Sequence, residues 1–329
     1  MTDYIGIQGQ NILITASDPS NPTEGQIWYN STSNTLKDYQ YVATNAWASG
    51  GALNTGRRYL AGFGTQTAAI GAGGYTATNA IVNTVESYNG TSWTTVNSMS
   101  QATNRTTGAG IQTAGLRIGG ADPYSTNQNN TESYNGTNWS TGGTLNTPRS
   151  SLASSGTQTS TLAFGGSNPA HVTAVAASES YNGTSWTNTP SLNTARRMLA
   201  GSGTQTASLA FGGVTTTYSA ATESWNGSTW TTLPASMNTA RQMLCGFGTQ
   251  TAAVGAGGDA APANTGATEL WNGSTWTTNP TALSVVRYGL AAGGTQASGV
   301  VFGGYGGGVK TETEEWTGSA LATRTITTS

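Results

Sequence analysis

The chain contains a repeated segment, which first occurs as Glu86-Ser-Tyr-Asn-Gly-Thr-Ser-Trp93. Four full copies and one altered copy follow, and they begin at Glu132, Glu179, Glu223, Glu269 and Glu314. Subtracting successive glutamate numbers gives spacings of 46, 47, 44, 46 and 45 residues. A fixed period of this length is typical of one blade of a propeller built from four-stranded sheets. The repeats therefore predict an all-β protein, a six-bladed β-propeller.

Glycines mark the turns inside each repeat. Gly203 lies ten residues before Gly213, the second glycine of a pair, and the same spacing recurs in all six repeats. Such a glycine fits a tight turn that needs a positive φ. Asn226-Gly227 separates two further strand-like runs and predicts a type I′ hairpin turn. The four strands of this repeat, a to d, are then predicted at Met198–Gly201, Ala207–Phe211, Thr222–Trp225 and around Trp230.

The order of these features resembles the kelch family over residues 40 to 318. The shared features are the glycine pair after strand b, the aromatic residue in strand c, the tryptophan in strand d and the arginine that opens strand a. The resemblance implies that strand a is innermost and strand d outermost. Strand c ends in Tyr-Asn-Gly or Trp-Asn-Gly, where kelch repeats usually have Tyr-Asp-Pro. The strand d tryptophans, expected to be structural, are Trp47, Trp93, Trp139, Trp186, Trp230 and Trp276.

The two ends of the repeat array are incomplete in complementary ways. Trp47 lies ten residues before Arg57, so it occupies a strand d position with no strands a, b and c before it. The sixth repeat has Leu321 where its tryptophan is expected. Because pairing the first and last segments hides exposed strand edges, we expect residues 40–49 to join the C-terminal blade. The predicted domains are an N-terminal arm and hairpin at residues 1–36 and the propeller at residues 37–329.

The b–c loops carry the variation among the repeats. Since successive strands run in opposite directions, the b–c and d–a connections open on one face and the a–b and c–d turns on the other. The b–c loops are residues 75–85, 121–131, 167–178, 214–222, 259–268 and 305–313. Variable loops on a rigid scaffold are where binding residues concentrate, although neutral drift of loop sequence is the alternative. Tyrosines suited to a sugar ring or a peptide are Tyr75, Tyr124, Tyr218 and Tyr305.

An arginine recurs at the start of strand a, at Arg57, Arg149, Arg196, Arg241 and Arg287. Thr103 breaks the series, with Arg105 two positions later. A ring of arginines at the mouth of the channel would suit an anionic ligand, which makes these residues candidates for ligand binding. The simpler account pairs each arginine with a strand c glutamate, because the planar guanidinium group suits partly buried carboxylates. Those structural glutamates are Glu86, Glu132, Glu179, Glu223, Glu269 and Glu314.

The overall composition argues against several classes of partner. Charged residues make up 8% of the chain, the net charge is -2 and the pI is about 5.4. Without a basic surface, no nucleic-acid partner is expected. No apolar run approaches the length of a membrane span, and the N-terminal residues lack the basic and apolar regions of a secretory signal. We therefore expect neither membrane insertion nor export by the general pathway.

Few residues are suited to catalysis. Cys245 and His171 are the only cysteine and histidine, and they lie in different repeats. Cys245 is expected to be a small buried hydrophobic residue, and His171 a solvated loop residue. A galactose-oxidase-like copper site needs more than one histidine, and Ser87–Trp93 lacks the aspartate of a sialidase-like Asp box. We expect no enzyme activity, no catalytic residue, no metal and no cofactor.

The segment from Pro22 to Tyr39, followed by Trp47, resembles a hairpin module of tail-fibre and other virion proteins of bacteriophages, particularly marine and cyanobacterial ones. That module typically reads Gly-Asp-Leu-Trp-Tyr-Asn, and here Gln26 and Ile27 replace the aspartate and leucine. The resemblance implies a multi-copy virion appendage, assembled in the host cytoplasm and exposed on the particle surface or tail. Residues 2–22 would attach it to other virion proteins, and the propeller would meet a host-surface glycan or protein. The alternatives are a non-viral lectin-like or protein-interaction propeller and a carbohydrate-active enzyme.

Overall fold

The protein is described from a computed structural model, which covers residues 12–42, 44–123, 126–168 and 172–326. Within these ranges the chain is all-β and contains no helix. It divides into two compact units. Unit 1 comprises Met1–Asn45 and Gly318–Ser329, and unit 2 comprises Ala46–Thr317.

Unit 1 begins with strands β1 Leu13–Thr15, β2 Ile27–Asn30 and β3 Thr35–Val42. β2 and β3 form an antiparallel hairpin, and β1 pairs with β2 in parallel. The indole of Trp28 is fully buried, and its Nε1 donates a hydrogen bond to Asp18 Oδ1 at 3.1 Å. The Lys37 ammonium lies 2.8 Å from Asp18 Oδ2. These hydrogen bonds hold the pKa of Asp18 down at about 2, with Lys37 the largest cause, and they tie the segment before β2 to the hairpin.

Unit 2 is built from short strands in a regular series. Its first half contains β4 Ala46–Gly50, β5 Ala61–Thr65, β6 Ala68–Ala72, β7 Val85–Tyr88, β8 Trp93–Val96, β9 Thr107–Ile111, β10 Ala114–Ile118, β11 Thr131–Tyr134, β12 Trp139–Thr141, β13 Ala153–Thr157, β14 Ser160–Phe164, β15 Ser178–Tyr181 and β16 Trp186–Thr189. Its second half contains β17 Ala200–Gly203, β18 Ser208–Phe211, β19 Thr222–Trp225, β20 Trp230–Thr232, β21 Cys245–Gly248, β22 Ala253–Ala256, β23 Asp259–Ala260, β24 Ala263–Asn264, β25 Thr268–Trp271, β26 Trp276–Asn279, β27 Ala291–Gly294, β28 Ser298–Phe302 and β29 Thr313–Thr317.

β23 and β24 pair only with each other, and the other strands form repeated four-stranded antiparallel sheets, each with its strands in the order a, b, c, d. Sheet I is β5–β8, sheet II is β9–β12, sheet III is β13–β16 and sheet IV is β17–β20. Sheet V is β21, β22, β25 and β26, and sheet VI is β27, β28, β29 and β4. The a strands contact one another in chain order, from β5 through β9, β13, β17 and β21 to β27, and β27 also contacts β5. This order of open sheets is consistent with a propeller-like fold.

The ends of the chain pair in two different sheets. β4 is the fourth strand of sheet VI, where Trp47 lies opposite Trp316. The last strand, β30 Ala320–Thr325, pairs with β3 and completes the sheet of unit 1. Of the segment expected to join the C-terminal blade, residues 46–49 lie in sheet VI, whereas residues 40–42 lie in β3. The division between the two units falls at residue 45, because β3 continues to Val42 and its partner is the C-terminal strand.

The turns follow the glycine pattern, with two differences from expectation. Gly203 and its five counterparts in the a–b turns all have positive φ, as expected. The c–d turn after Trp225 spans four residues, and of Asn226-Gly227 only the glycine has a positive φ. Asn226 Oδ1 instead accepts hydrogen bonds from the backbone N–H groups of Ser228 and Thr229, at 2.9 and 2.8 Å. The type I′ prediction is therefore wrong, because the asparagine side chain closes an Asx-type turn.

A glutamine in each a–b turn joins neighbouring sheets. Gln112 Nε2 of sheet II donates to the Tyr88 carbonyl of sheet I at 2.6 Å, and sheets III to VI repeat this contact through Gln158, Gln205, Gln250 and Gln296. Gln66 Nε2 donates to the Trp316 carbonyl at 2.9 Å, which joins sheet I to sheet VI. The near-identical Gly-Thr-Gln-Thr turns thus have a structural role.

The strand d tryptophans pack between sheets. Trp93 of sheet I stacks on Phe302 of sheet VI at 4.6 Å between ring centroids, and its Nε1 donates to Thr313 Oγ1 at 2.9 Å. Trp47, Trp186 and Trp276 donate to the equivalent threonines of their neighbouring sheets. Sheet III has Ser178 at this position, and neither its Oγ nor Trp230 Nε1 has a hydrogen-bond partner among the described residues. The Trp230 contact is therefore incomplete, and Trp139 of sheet II donates instead to the Asn97 carbonyl at 3.1 Å, because sheet I has Val85 at the threonine position.

Candidate functional site

The strand a arginines are fully buried, and each pairs with the strand c glutamate of its own sheet. Arg57 Nη2 lies 3.0 Å from Glu86 Oε1, and the same pair occurs as Arg149–Glu179, Arg196–Glu223, Arg241–Glu269 and Arg287–Glu314 at 2.9 to 3.3 Å. Arg57 Nη1 also donates to the carbonyls of Gly73 and Thr84 at 2.9 and 2.8 Å. Burial lowers the pKa of Arg57, and the Glu86 charge opposes that change. Each pair fixes the start of strand a against strand c.

Sheet II reaches the same arrangement by a different route. Thr103 occupies the arginine position, and its uncharged side chain cannot form an ion pair with Glu132. Arg117 of β10 takes that role, and its Nη2 contacts Glu132 Oε2. The other five sheets have small or aliphatic residues at the position of Arg117, namely Gly71, Ala163, Ala210, Gly255 and Val301. In sheet II the arginine of the ion pair thus comes from strand b instead of the start of strand a, whereas the glutamate occupies the same strand c position as in the other sheets.

Burial removes the strand a arginines from contact with solvent. Arg57, Arg149, Arg196, Arg241 and Arg287 are 0% exposed, and their guanidinium groups are occupied by a glutamate, by backbone carbonyls or by both. A ligand approaching the face of the b–c loops would meet no guanidinium group from this set. The structure thus places these candidate ligand-binding residues in ion pairs with the strand c glutamates, as the simpler interpretation of the sequence predicts.

Each sheet contributes one residue to a ring, which we call the central ring. That residue lies two positions after the strand a arginine position. These residues are Tyr59, Arg105, Ser151, Met198, Met243 and Gly289, and all have φ between 50° and 63°. The backbone N–H of each donates to the carbonyl of the one before it at 2.7 or 2.8 Å, and Tyr59 N donates to Gly289 O at 2.8 Å. The series of hydrogen bonds is therefore cyclic. The left-handed backbone at Met198 also explains why strand a begins at Ala200 rather than at Met198.

Tyr59 covers part of this central ring. A Cβ atom on Gly289 would lie 2.7 Å from Tyr59 Cε1, so the aromatic ring occupies the space left by the missing side chain. The Tyr59 hydroxyl donates to Met243 Sδ at 3.4 Å. Burial, with a smaller effect of Tyr288, raises the pKa of Tyr59 to about 12. The hydroxyl is therefore protonated at neutral pH and serves as a donor.

Arginines and tyrosines gather on the side of the central ring where the b–c loops begin. Arg58 Cζ lies 4.7, 5.5 and 5.6 Å from the ring centroids of Tyr305, Tyr59 and Tyr75. Tyr288 adjoins both Tyr59 and Tyr305, at 6.2 and 5.5 Å between centroids. We call Arg58, Tyr59, Tyr75, Tyr288 and Tyr305 the tyrosine cluster. These contacts bring residues from sheets I and VI into one surface.

Two further arginines adjoin the central ring. Arg105 Cζ lies 5.6 Å from the Tyr59 ring centroid, and Arg197 Nη1 donates to Met198 Sδ at 3.4 Å. Within the described part of the chain, Arg58, Arg105 and Arg197 form no ion pair with a carboxylate. We call these three residues the unpaired arginines. Their charges are available to a ligand.

A cavity of about 150 Å³ lies along the central ring and the a strands. Tyr59, Arg105, Met198 and Met243 line it together with small and aliphatic strand a residues. A volume of about 150 Å³ has room for a benzene-sized group. Its size therefore suits one ring or one substituent of a larger ligand.

The four candidate tyrosines fall in different places. Tyr75 and Tyr305 belong to the tyrosine cluster. The Tyr218 hydroxyl donates to Asp259 Oδ2 at 2.7 Å, so it connects two neighbouring b–c loops. Tyr124, like His171, lies outside the described residues. Tyr59, Tyr288, Arg58 and Arg197 were not predicted, although they are aromatic or basic residues one or two positions after the repeat arginines.

The chemistry of the remaining candidates is limited. Cys245 is buried, and burial raises the pKa of its thiol to about 12, so the reactive thiolate is disfavoured. Among the described residues, no three or more His, Cys, Asp or Glu side chains are grouped so that they could hold a metal ion. A helix with the length and apolar character of a membrane span is likewise absent from the ranges that the structure covers.

Comparison with protein-family models gives no match, and comparison with curated proteins gives none either. The function is therefore inferred from the geometry of the central ring and its surroundings.

Proposed function

We propose that unit 2 is a six-bladed β-propeller that binds a host-surface glycan or protein through the face of the b–c loops. The protein would act without catalysis, as a structural part of a bacteriophage virion of the tail-fibre or surface-appendage type. The binding proposal is based on one observation: the tyrosine cluster and the unpaired arginines lie together on one side of the central ring.

Contacts between the first and last sheets support the propeller with six blades. Tyr59 N donates to Gly289 O, Gln66 Nε2 to Trp316 O, and Trp93 Nε1 to Thr313 Oγ1. Each of these hydrogen bonds repeats between sheets I and VI a contact that also occurs between consecutive sheets. A ring closed in this way leaves no a strand at an open end of the array.

The surface chemistry supports binding on this face. Tyrosines offer an apolar ring with a polar tip, and such groups suit stacking on sugar rings or packing against peptide side chains. Backbone hydrogen bonds of the central ring fix the main chain at Tyr59 and Arg105, so little backbone freedom is lost when a ligand binds these residues. The opposite face presents the Asn-Gly turns and the glutamine turns, whose polar groups largely serve the fold.

The virion assignment is supported by the likeness of residues 22–47 to phage hairpin modules. In unit 1 these residues include β2 and β3, joined by a turn at residues 31–34. We propose that residues 2–22 bind other virion proteins and that several copies decorate each particle. Particles assembled with a chain that lacks residues 2–22 should then contain none of it, by immunoblot of purified virions. Retention at the normal copy number would contradict this division of roles.

Binding is tested on intact protein with cells and isolated surface polysaccharide of candidate bacterial hosts. The Tyr75→Ala/Tyr305→Ala variant should lose at least about tenfold in affinity, since stacking of this kind contributes on the order of 1–3 kcal/mol. Ile111→Ser is the matched control, because Ile111 is an exposed residue of a strand a end on the opposite face. No binding by the unaltered protein, or equal loss in the control, would overturn the proposed face.

A further inference from the structure

Building on the proposed surface-binding function, we infer that the ligand is acidic. The geometry points to a carboxylate or sulfate group on a sugar ring, held by Arg58, Arg105 and Arg197 at the central ring. The inference specifies the class of ligand, and it can fail while the proposed binding function stands.

The distribution of charge in unit 2 is the first support. Six arginines of unit 2 are neutralised by buried glutamates. The cations of unit 2 outside those pairs, among the described residues, are Arg58, Arg105, Arg197 and Lys310. Three of these four side chains belong to, or directly precede, a residue of the central ring. In a chain with only 8% charged residues, three cations outside ion pairs thus lie at or next to the same central ring.

The neighbourhood of the arginines is the second support. Burial lowers the pKa of Arg197, and the charge of Arg105 lowers it further. The two guanidinium groups therefore repel each other, and no carboxylate of the described chain pairs with either of them. An anion between them would favour both charged forms, as an opposite charge close to a titratable group does. Guanidinium groups also match the planar geometry of a carboxylate and bind sulfate oxygens well.

The aromatic surroundings indicate that the anion is carried on a sugar. Arg58 and Arg105 approach the same Tyr59 ring at 5.5 and 5.6 Å, so cationic and aromatic groups alternate over a few ångströms. Tyr75, Tyr288 and Tyr305 extend the aromatic surface outward along the b–c loops. The adjoining cavity of about 150 Å³ admits one substituent or ring, while the tyrosines remain for the rest of the saccharide.

The test compares three polymers with one backbone: dextran, carboxymethyl-dextran and dextran sulfate, as oligosaccharides of equal length. Isothermal titration calorimetry at fixed ionic strength measures their affinity for the full-length protein. We expect binding of at least one charged form, no measurable binding of dextran, and a preference between the two charged forms that distinguishes carboxylate from sulfate. Arg105→Gln and Arg197→Gln should each weaken that binding by at least about tenfold.

Lys37→Gln is the charge-matched control, because it removes one positive charge from unit 1 and should change affinity less than about twofold. Unfolding midpoints of all variants establish that each is folded. Equal binding of dextran, equal loss in Lys37→Gln, or no binding of any of the three polymers would overturn the acidic-ligand inference. The proposed function is judged separately by binding to host cells, so a protein that binds cells but prefers dextran refutes only the inference.

Discussion

Arg196 and Arg197 are consecutive in the chain, and their side chains have opposite surroundings. Arg196 is fully buried against Glu223, whereas Arg197 is partly exposed beside the central ring and has no carboxylate partner in the described part of the chain. Arg57 and Arg58 repeat the comparison in sheet I, with Glu86 as the partner of the first and tyrosines around the second. The first arginine of each pair stabilises the fold through a buried ion pair, and the second has no carboxylate partner in the described part of the chain and can contact a ligand.

The contrast follows from the extended backbone before strand a. Successive side chains of an extended segment point to opposite sides, so an inward arginine is followed by an outward residue. The inward arginine meets a glutamate and two carbonyls, and the outward residue meets the b–c loops. The repeat pattern therefore constrains the inward position strongly and leaves the next position to vary among the six sheets, where it is Arg58, Asn104, Ser150, Arg197, Gln242 or Tyr288.

The largest expected difference is between Arg196→Met and Arg197→Gln. Loss of the buried arginine leaves the Glu223 carboxylate without its partner, which costs about 3–5 kcal/mol of folding free energy. Loss of the outward arginine should cost no more than about 0.5 kcal/mol, as for surface positions generally. Urea unfolding of both variants measures the difference. Similar unfolding midpoints for the two variants would show that the buried, paired arginine contributes no more to stability than the unpaired one.

In sheet II the strand b arginine of the ion pair can be replaced by an arginine at the start of strand a, as in the other five sheets. Arg117→Ala alone should destabilise by about 3 kcal/mol, because Glu132 then lacks its buried partner. Adding Thr103→Arg should recover about 2 kcal/mol of that loss, since it rebuilds the arrangement of the other five sheets. A double-mutant cycle from urea unfolding gives the coupling energy. Purely additive effects would show that strand a of sheet II cannot accommodate the arginine.

The fit of Tyr59 over Gly289 can be separated from backbone strain. Gly289→Ala meets both a positive φ of 63° and a contact of 2.7 Å with Tyr59. Gly307→Ala is the control, because φ there is 73° and no atom lies within 4 Å of the added Cβ. The control should cost about 1 kcal/mol, and Gly289→Ala about 2 kcal/mol more, from thermal unfolding. Equal costs would mean that Tyr59 moves aside freely.

The smallest effect concerns the incomplete contact between sheets III and IV. Ser178→Thr should orient the hydroxyl toward Trp230 Nε1, as in the equivalent threonines, and stabilise by about 0.5 kcal/mol. Thr222→Ser tests the reverse change at Trp276 Nε1, where the hydrogen bond measures 2.9 Å. It should destabilise by a similar amount. Changes of the same sign in both variants would show that the choice between serine and threonine does not control this contact.

The sequence predicted those features that repeat. The period, the left-handed glycines, the c–d pairing and the arginine–glutamate partnership each appear several times, so a chance match at one position could not produce them. Arg117 escaped prediction because any side chain that reaches Glu132 satisfies the pair, whichever strand carries it. Its visible signal was a lone charge in the otherwise apolar strand b.

Features that occur once were beyond the sequence pattern. Tyr59 and Gly289 are far apart in the chain and meet only because sheets I and VI adjoin. The pairing of β3 with β30 is equally non-local, and neither segment belongs to the repeat. The turn at Asn226-Gly227 was misassigned because asparagine can either adopt a positive φ or accept backbone hydrogen bonds with its side chain, and only the surrounding geometry decides.

A closed ring of sheets would hold the unpaired arginines on a rigid rim. Native-state hydrogen exchange of the six backbone amides of the central ring measures whether the ring is closed. If it is closed, the Tyr59 amide, which donates to Gly289 O, will be protected to the same degree as the amides of Arg105, Ser151, Met198, Met243 and Gly289. Exchange at Tyr59 about a hundredfold faster than at the other five would mean that sheets I and VI separate and that the ring is open.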